Sequence, residues 1–329
     1  MDRKVKVAWF DTEEWEKKFL SGRAGDLEIE FFEESLTPET VDRAGGFDAV
    51  TVFVESQVNS EVLDQLDADY VACRSTGYDH VDLEKAEEED ITVFNVPDYG
   101  GTTVAEHAFG LILALSRKIY SAIRKVDEGE FDHQGLRGLD LKGKTLGVIG
   151  TGSIGLNAIR IANGFDMHVI ASDPYPDHDA AEDLGFMYVS TEDLVEKADI
   201  ITIHCPLTDE TRHLLSEDEF EKMDGTLIVN TARGEVIDTE ALIEALENGN
   251  VEAAGLDVLE EECYIEDDIE YLGDLEEKCD PQIILEDHIL MNRDDVLITP
   301  HNAFNSREAM ERIEETTLSN LREKKNPVN

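Results

Sequence analysis

The chain has 329 residues, 41% of them hydrophobic, and its 28 Lys and Arg stand against 76 Asp and Glu, a formal net charge of −48. This length exceeds what one hydrophobic core usually supports, so we expect two domains. A surface this acidic argues against nucleic acid and anionic membranes as partners. The acids are spread along the chain, and they lead us to expect a salt-adapted, halophilic protein, because about 1 M salt shortens the Debye length to about 3 Å.

Apolar segments and cysteines bear on the location. The longest apolar run, 108–115, is too short to cross a membrane, and the first residues lack the apolar core of a secretory signal. The cysteines show neither a C-x-x-C pair nor the spacing of metal ligands, and they stand at Cys73, Cys205, Cys263 and Cys279. We therefore expect a cytoplasmic protein with free thiols and no metal.

The first hundred residues alternate short apolar runs with polar helical stretches. Helices are predicted at 12–20 and 60–66. The predicted strands are 5–10, 27–32, 49–54, 70–74 and 91–96. Alternating β and α elements predict a parallel sheet covered by helices on both faces.

A second alternating series begins near Thr145. Its predicted strands are 145–149, 168–172, 187–189, 200–204, 227–230, 253–258 and 296–299. Ser216 and Glu219 have the spacing of a capping box at a helix start, and Gly249 marks a helix stop. The series predicts a second doubly wound parallel sheet.

Two long helices are predicted to join the halves, at about 102–119 and 306–324. The centre of the first is apolar on every face, so it is expected to be buried on several sides. The second is expected to return the chain to the first domain, which would make that domain discontinuous.

The sequence from 146 to 155 is typical of a dinucleotide-binding turn. A G-x-G-x-x-G pattern follows an apolar strand and precedes a helical run. In such a turn Gly150 allows the tight bend, Gly152 the close approach of the pyrophosphate, and Gly155 the packing of helix on strand. The amides of Ser153 and Ile154 at the helix start can bind the phosphates.

The next predicted strand ends at Asp173, eighteen residues beyond Gly155. A carboxylate there accepts hydrogen bonds from ribose hydroxyls and repels a 2′-phosphate. No Arg or Lys lies between 172 and 183 to hold such a phosphate. The pattern therefore favours NAD over NADP as the cofactor.

Three groups follow predicted strand ends, where ligands of a doubly wound sheet bind: Arg233, Glu262 and His301. A guanidinium can hold a carboxylate and polarise a 2-oxo group, while histidine supplies a proton near neutral pH. A carboxylate paired with the histidine would raise its pKa. These residue types suit hydride transfer to a 2-oxo acid, with arginine as binder, histidine as acid/base and glutamate as tuner.

Position alone does not settle this trio. His204 also ends a predicted strand, so it competes with His301 for the role of acid. Glu260, Glu261 and Glu262 are consecutive, and spacing cannot choose among them. A lone arginine at a strand end is also commonly part of a surface ion pair.

At these residues the sequence resembles the D-isomer-specific 2-hydroxyacid dehydrogenase family, over essentially its whole length. The matching stretches are 74–79, 95–100, 104–108, the glycine turn, 204–208, 230–234, 255–258 and 299–301. The resemblance implies a Rossmann-type NAD-binding domain over 102–301. It implies a flavodoxin-like substrate domain over 1–101 plus 302–329, and a cleft between the two.

The resemblance also implies roles for individual residues. It assigns catalysis to Arg233, Glu262 and His301, and it chooses Glu262 among the three glutamates. It places Asp257 near the nicotinamide carboxamide. The other implied cofactor contacts are Cys205, Pro206, Thr211, Thr231, Ala232 and Arg233, and the implied substrate contacts are Thr76, Gly77, Tyr99, Arg233, Phe53 and Phe304.

Within the family, the length of the stretch between Glu262 and His301 resembles the D-lactate dehydrogenase branch. The run 262–268 is more acidic than that branch leads us to expect. A homodimer is implied, with the apolar helix after Thr102 at its contact. The alternatives are a glyoxylate or hydroxypyruvate reductase of the same family and, from a different class, an NADH-sensing binding protein.

Overall fold

A computed structural model of the chain describes residues 4–260 and 281–329. The chain divides into two compact units. The first combines Met1–Tyr99 with Ser306–Asn329, and the second is Gly100–Asn305. Each unit has its own sheet and its own hydrophobic core.

The first unit is built on a five-stranded parallel sheet. Its strands are β1 (Val5–Trp9), β2 (Leu27–Phe31), β3 (Ala49–Val52), β4 (Tyr70–Cys73) and β5 (Thr92–Phe94). The helices between them are α1 (Glu14–Leu20), α2 (Ser60–Leu63) and α3 (Leu83–Glu88). The order β2-β1-β3-β4-β5 is that of flavodoxin-like sheets. The central strand β3 is buried throughout and is apolar except for Thr51, as is typical of a parallel strand covered on both faces.

The second unit carries a seven-stranded parallel sheet in the order β12-β11-β10-β9-β6-β7-β8. Its strands are β6 (Thr145–Ile149), β7 (His168–Ser172), β8 (Met187–Tyr188), β9 (Ile200–Ile203), β10 (Thr226–Asn230), β11 (Val251–Leu256) and β12 (Val296–Ile298). Counted from β6, this is the Rossmann order extended by one strand. The predicted fold class, two α/β units with doubly wound parallel sheets, is confirmed.

Eight α-helices are described in the second unit outside 261–280. They are α4 (Gly101–Ser116), α5 (Ile119–Asp127), α6 (Ser153–Gly164), α7 (His178–Leu184), α8 (Thr191–Lys197), α9 (Glu217–Phe220), α10 (Thr239–Asn248) and α11 (Pro281–Met291). The capping box predicted at Ser216 and Glu219 opens α9. Gly249 ends α10 in the left-handed conformation, as the sequence predicts.

The long helix predicted at about 102–119 is confirmed as α4, but it ends three residues earlier than predicted. The helix α4 ends at Ser116, whose carbonyl accepts the N–H of Leu139 at 2.8 Å. Lys118 then takes a left-handed conformation with φ of 49°, and α5 begins at the next residue. The segment that contains Leu139 thus donates a hydrogen bond to the Ser116 carbonyl, and the left-handed conformation of Lys118 separates α4 from α5. The apolar centre of α4 is buried in the core of its own unit.

The C-terminal helix α12 (Arg307–Glu323) belongs to the first unit, where Ser306 caps it by accepting the N–H of Ala309. After α12, Pro327 pairs antiparallel with Phe94 of the edge strand β5. This pairing covers backbone groups of an edge that would otherwise be exposed. Among the described helices none is both long and apolar enough to span a membrane.

Candidate active site

The carboxyl ends of three neighbouring strands carry Arg233, Asp257 and His301. They follow β10, β11 and β12, which lie side by side in the sheet. Because these strands are parallel, their carboxyl ends meet at one edge, where doubly wound sheets bind ligands. The structure thus brings two of the predicted catalytic residues to the same edge of the sheet.

The loop after β10 is held rigidly. The side chain of Asn230 donates to the carbonyl of Arg233 at 2.8 Å and accepts the N–H of Ala232 at 3.0 Å. A Cβ at Gly234 would overlap the carbonyl of Leu259, so only glycine lets this loop lie against the backbone after β11. The backbone next to the half-buried Arg233 therefore lies against the segment that leads to Glu262.

His301 stands in a left-handed conformation, with φ of 46°. Its N–H donates to the carbonyls of Asp257 and Thr299, each at 2.9 Å. The Asp257 carboxylate accepts from the N–H groups of Asn302, at 3.1 Å, and Ala303, at 2.8 Å. Asp257 thus fixes the bend that leaves the His301 side chain exposed.

Asp257 is itself held as a carboxylate. Burial acts to raise its pKa, but hydrogen bonds from His107, Thr299 and the Ala303 N–H outweigh that effect and keep the pKa below its usual value. His107 Nε2 lies 3.4 Å from Asp257 Oδ1 and 3.1 Å from the hydroxyl of Thr299. An ionised group at this edge can orient polar parts of a bound cofactor.

The competing histidine has a different environment. Burial lowers the pKa of His204 to about 3, so its imidazole is neutral at physiological pH. Its Nε2 lies 3.0 Å from the hydroxyl of Thr202. A neutral imidazole in this position cannot supply a proton near neutral pH, whereas His301 is exposed beyond β12.

Among the three consecutive glutamates only Glu260 is described, and Glu261 and Glu262 lie outside the described residues. The Glu260 side chain is 7% exposed and pairs with Nε2 of His213 at 2.6 Å. It also accepts the hydroxyl of Thr239 at 2.8 Å. Glu260 is therefore engaged in holding its own loop, and the choice of Glu262 stays a prediction.

The glycine turn has the geometry expected of a dinucleotide site. Gly150 adopts φ of 88°, which allows the tight bend, and a Cβ at Gly155 would overlap the Gly150 carbonyl. A Cβ at Gly152 meets no atom within 4 Å, so the space above this residue is open. Ser153 and Ile154 begin α6 directly after Gly152, which supplies no side-chain cap. This open helix start fits a pyrophosphate.

Asp173 follows β7 on the neighbouring strand. Its Oδ2 accepts the N–H of Thr151 at 2.7 Å, and its Oδ1 accepts the N–H of Tyr175 at 2.8 Å. The carboxylate is thereby fixed beside the glycine turn and half-exposed, as recognition of a ribose diol requires.

The remaining predicted cofactor residues lie in two loops at this edge. Cys205, Pro206 and Thr211 follow β9, where the hydroxyl of Thr211 donates to the Pro206 carbonyl at 2.7 Å. Burial raises the pKa of the Cys205 thiol to about 11, so it is not a thiolate at neutral pH. Thr231 and Ala232 follow β10, the strand next to β9.

Four predicted substrate residues follow strands of the first unit. Phe53 comes after β3, Thr76 and Gly77 after β4, and Tyr99 after β5, and these strands are neighbours. The Thr76 hydroxyl donates to the Val96 carbonyl at 2.8 Å. The other two are Arg233, which follows β10, and Phe304, which is half-buried in the second unit, three residues beyond His301.

Comparison with known proteins identifies the family. The model of the D-isomer specific 2-hydroxyacid dehydrogenase NAD binding domain matches residues 109–303. D-lactate dehydrogenase of Escherichia coli strain K12 is 40% identical over 326 residues, which are 96% of this chain and 96% of that protein. This chain belongs to the D-isomer-specific 2-hydroxyacid dehydrogenases.

Solved structures of this family superpose on the whole chain. The apo-structure of D-lactate dehydrogenase from Escherichia coli has a TM-score of 0.84 at 38% identity, covering 98% of this chain and 100% of that one. D-lactate dehydrogenase from Aquifex aeolicus, complexed with NAD and lactic acid, has a TM-score of 0.83 at 30% identity and covers 98% of both chains. The chain is an NAD-dependent D-2-hydroxyacid dehydrogenase, as the resemblance implies, and its cofactor is NAD.

Two residues that support this dehydrogenase's site are not assigned from the sequence. Thr151 lies within the glycine turn and fixes Asp173 through its N–H and its hydroxyl. His107 pairs with Asp257, although nearly two hundred residues separate it from Thr299, its other partner. Family-like stretches contain both residues, but their partners are distant in sequence, so no spacing pattern points to these contacts.

Proposed function

We propose that this dehydrogenase interconverts pyruvate and D-lactate, with Arg233, Glu262 and His301 as its catalytic residues. The observation that carries the proposal is the placement of Arg233 and His301 at neighbouring carboxyl ends of one sheet, on either side of Asp257. The likeness to D-lactate dehydrogenases over nearly the whole chain supports the choice of substrate.

The proposal gives each catalytic side chain a role in hydride transfer from NADH to pyruvate. NADH supplies the hydride that reaches C2 of pyruvate. Arg233 holds the substrate carboxylate in forked geometry and polarises the 2-oxo group. His301 donates a proton to the developing oxyanion, and in the reverse direction it accepts that proton. Glu262 pairs with His301 and keeps it protonated.

The same proposal assigns separate sets of residues to the cofactor and to the substrate. The second unit holds NAD, with the pyrophosphate at Gly152, Ser153 and Ile154 and the ribose at Asp173. The loops after β9 and β10 line the cofactor, and Asp257 faces the nicotinamide carboxamide. The first unit supplies the amides of Thr76 and Gly77 as a second anchor for the substrate carboxylate. Apolar contacts to the methyl group come from Phe53, Tyr99 and Phe304.

The test is the initial rate of NADH oxidation in about 2–3 M KCl, where surface charge is screened. Pyruvate is compared with 2-oxo-4-methylpentanoate, glyoxylate and hydroxypyruvate, and NADPH is the control cofactor. We expect the highest kcat/KM with pyruvate and NADH. A preference for glyoxylate or hydroxypyruvate would refute the proposed substrate. Absence of turnover by folded, NADH-binding protein would refute the catalytic assignment itself.

We also infer that the enzyme is a cytoplasmic homodimer whose contact includes α5. This helix has no buried residue, and its apolar side chains Ile119, Tyr120, Ile123 and Val126 are 45–54% exposed. Such a patch on a chain of net charge −48 is typical of an interaction surface. The apolar side chains of α4 instead pack in the core of its own unit. We therefore expect the dimer contact at the next helix, α5, and not at α4.

Light scattering in high salt measures the mass in solution. We expect a dimer for the wild type and a monomer for Ile123→Asp, because a carboxylate buried in the contact is costly. Met187→Asp is the matched control, since Met187 is 66% exposed elsewhere in the second unit. An Ile123→Asp protein that stays dimeric would place the contact elsewhere.

A further inference from the structure

Three ionisable side chains meet in the interior of the first unit. Arg74 Nη1 contacts the carboxylate of Glu16 from α1 and lies 3.3 Å from Glu314 Oε1 of α12. The three side chains are 1%, 2% and 0% exposed in that order. The carboxyl group of Glu314 is also within hydrogen-bonding reach of that of Glu16. We call these three residues the Arg74 cluster.

The charges of the Arg74 cluster do not balance if both carboxyls are ionised. One guanidinium would face two carboxylates, and an uncompensated buried charge is strongly unfavourable. The carboxyl group of Glu55 also faces Arg74, and its own charged neighbours Asp11 and Glu13 add further negative charge. Oε2 of Glu314 is buried without a hydrogen-bond partner. A proton on the Glu314 carboxyl lets it donate to Glu16 and makes the cluster neutral.

The cluster is tied to the residues proposed to bind substrate. Arg74 Nη2 donates to the carbonyls of Phe10, at 2.6 Å, and Asp11, at 2.9 Å. The side chain of Asp11 accepts the N–H of Phe53 at 2.7 Å. The guanidinium carbon lies 5.5 Å from the centre of the Phe53 ring. Arg74 therefore fixes the backbone at Phe10 and Asp11, and the Asp11 side chain in turn holds the backbone of Phe53.

The segment 75–77 follows Arg74 directly and is braced by the same helix that carries Glu314. Asn95 donates to the carbonyl of Thr76 at 2.8 Å, and Asn320 of α12 donates to the carbonyl of Asn95 at 2.8 Å. The Ser75 hydroxyl closes the turn by donating to the Gly77 carbonyl at 2.6 Å. A change in the charge of the cluster thus acts beside the proposed carboxylate anchor at Thr76 and Gly77.

We propose that Arg74, Glu16 and Glu314 hold one shared proton, and that this neutral cluster positions Phe53 and the 75–77 segment for the substrate carboxylate. Loss of the proton at alkaline pH leaves one extra negative charge next to the anchor, and the KM for the 2-oxo acid rises while the affinity for NADH is unchanged. The substrate half of this inference rests on the proposed function. In support, burial raises the pKa of Glu314 to about 8, with Arg74 opposing this shift and Glu16 adding to it.

The experiment compares wild type, Glu314→Gln and Glu315→Gln. Glutamine has the shape of a protonated glutamate, and Glu315 is the exposed neighbour on the same helix, so it is the matched control. At about pH 6 all three should have the same KM for the fastest 2-oxo acid. At about pH 9 the KM of wild type and of Glu315→Gln should exceed that of Glu314→Gln on the order of threefold. The ratio cancels the titration of His301, which all three proteins share.

A readout without substrate separates the two proposals. Between about pH 5 and pH 8 the native state binds one proton more than the unfolded state at Glu314, so the unfolding free energy of wild type falls as pH rises. Glu314→Gln should show a shallower fall, and Glu315→Gln the wild-type fall. Equal slopes in all three proteins would overturn the shared proton. Unequal slopes with a KM ratio independent of pH would overturn the positioning role. Arg74→Lys checks that role independently, because it should raise the KM for the 2-oxo acid while leaving NADH binding intact.

Discussion

A guanidinium and an ammonium hold a carboxylate differently, and Arg233 is the side chain whose fork we propose binds the substrate. Arg233→Lys keeps the charge but loses the paired donors, so we expect kcat/KM for pyruvate to fall by about 100-fold or more. The dissociation constant of NADH should stay within a factor of about two, because Arg233 is proposed to act mainly on the substrate. Steady-state rates and NADH fluorescence titration measure the two effects.

The control for that substitution is Arg212→Lys. Arg212 is exposed and lies 3.9 Å from Glu235, a surface pair of the kind that contributes little. Its kinetics should match the wild type. If Arg233→Lys retained wild-type kcat/KM, the guanidinium would have no special part in binding or polarising the 2-oxo acid.

Two histidines at strand ends give opposite expectations for the pH profile. Reduction of a ketone needs the protonated form of the acid, so kcat/KM should fall as pH rises through its pKa. His301→Gln should lower kcat/KM by about 100-fold or more and remove this fall near neutrality. His204→Gln, assayed at saturating NADH, should keep it, because burial lowers the pKa of His204 to about 3 and its imidazole is therefore neutral throughout this pH range. A fall abolished by His204→Gln and retained by His301→Gln would reverse the assignment.

At the scale of elements, the turn between β6 and α6 offers a clean separation of folding from cofactor binding. A Cβ at Gly152 meets no protein atom, so Gly152→Ala should leave the Tm unchanged and weaken NADH binding by obstructing the pyrophosphate. Gly155→Ala should lower both the Tm and NADH affinity, since its Cβ would overlap the Gly150 carbonyl. Gly164→Ala, at the open end of the same helix, is the control and should change neither.

Thermal unfolding with and without NADH distinguishes these outcomes. A stable Gly152→Ala protein with wild-type NADH affinity would show that the pyrophosphate does not approach this residue. A Gly155→Ala protein with wild-type Tm would show that the turn can relax by more than the overlap with the Gly150 carbonyl suggests.

Periodic patterns predict the elements of this fold well and the contacts between them poorly. All twelve predicted strands occur in the described residues because buried parallel strands are short apolar runs bounded by polar residues. The break between α4 and α5 could not be predicted, since it depends on the N–H of Leu139 reaching the Ser116 carbonyl across the chain. The same division holds at the site, where the spacing of residues does predict the turn glycines and Asp173. The burial that neutralises His204 and the pairing of Glu260 with His213 depend on tertiary packing.

At the scale of the whole molecule, charge is the dominant physical feature. Several of the described cations pair with more than one acid, as Lys85 does with Asp64 and Glu89, and Lys125 with Glu130 and Asp132. Such exposed pairs contribute little individually, and the excess of 48 acidic groups remains after every cation is paired. Self-repulsion of this excess opposes the compact state wherever it is unscreened.

Salt should therefore control stability. Raising KCl from about 0.1 to 3 M should increase the free energy of unfolding, steeply below about 1 M, where the Debye length falls from about 10 to 3 Å. Screening alone predicts a plateau above that concentration. A continued rise would indicate a further contribution from preferential exclusion of salt from the protein surface. Sorbitol at matched osmolality would reproduce that rise only if exclusion of any cosolvent is enough to cause it. A free energy of unfolding independent of KCl would contradict salt adaptation, because repulsion among 48 uncompensated charges would then have no measurable cost in the folded state.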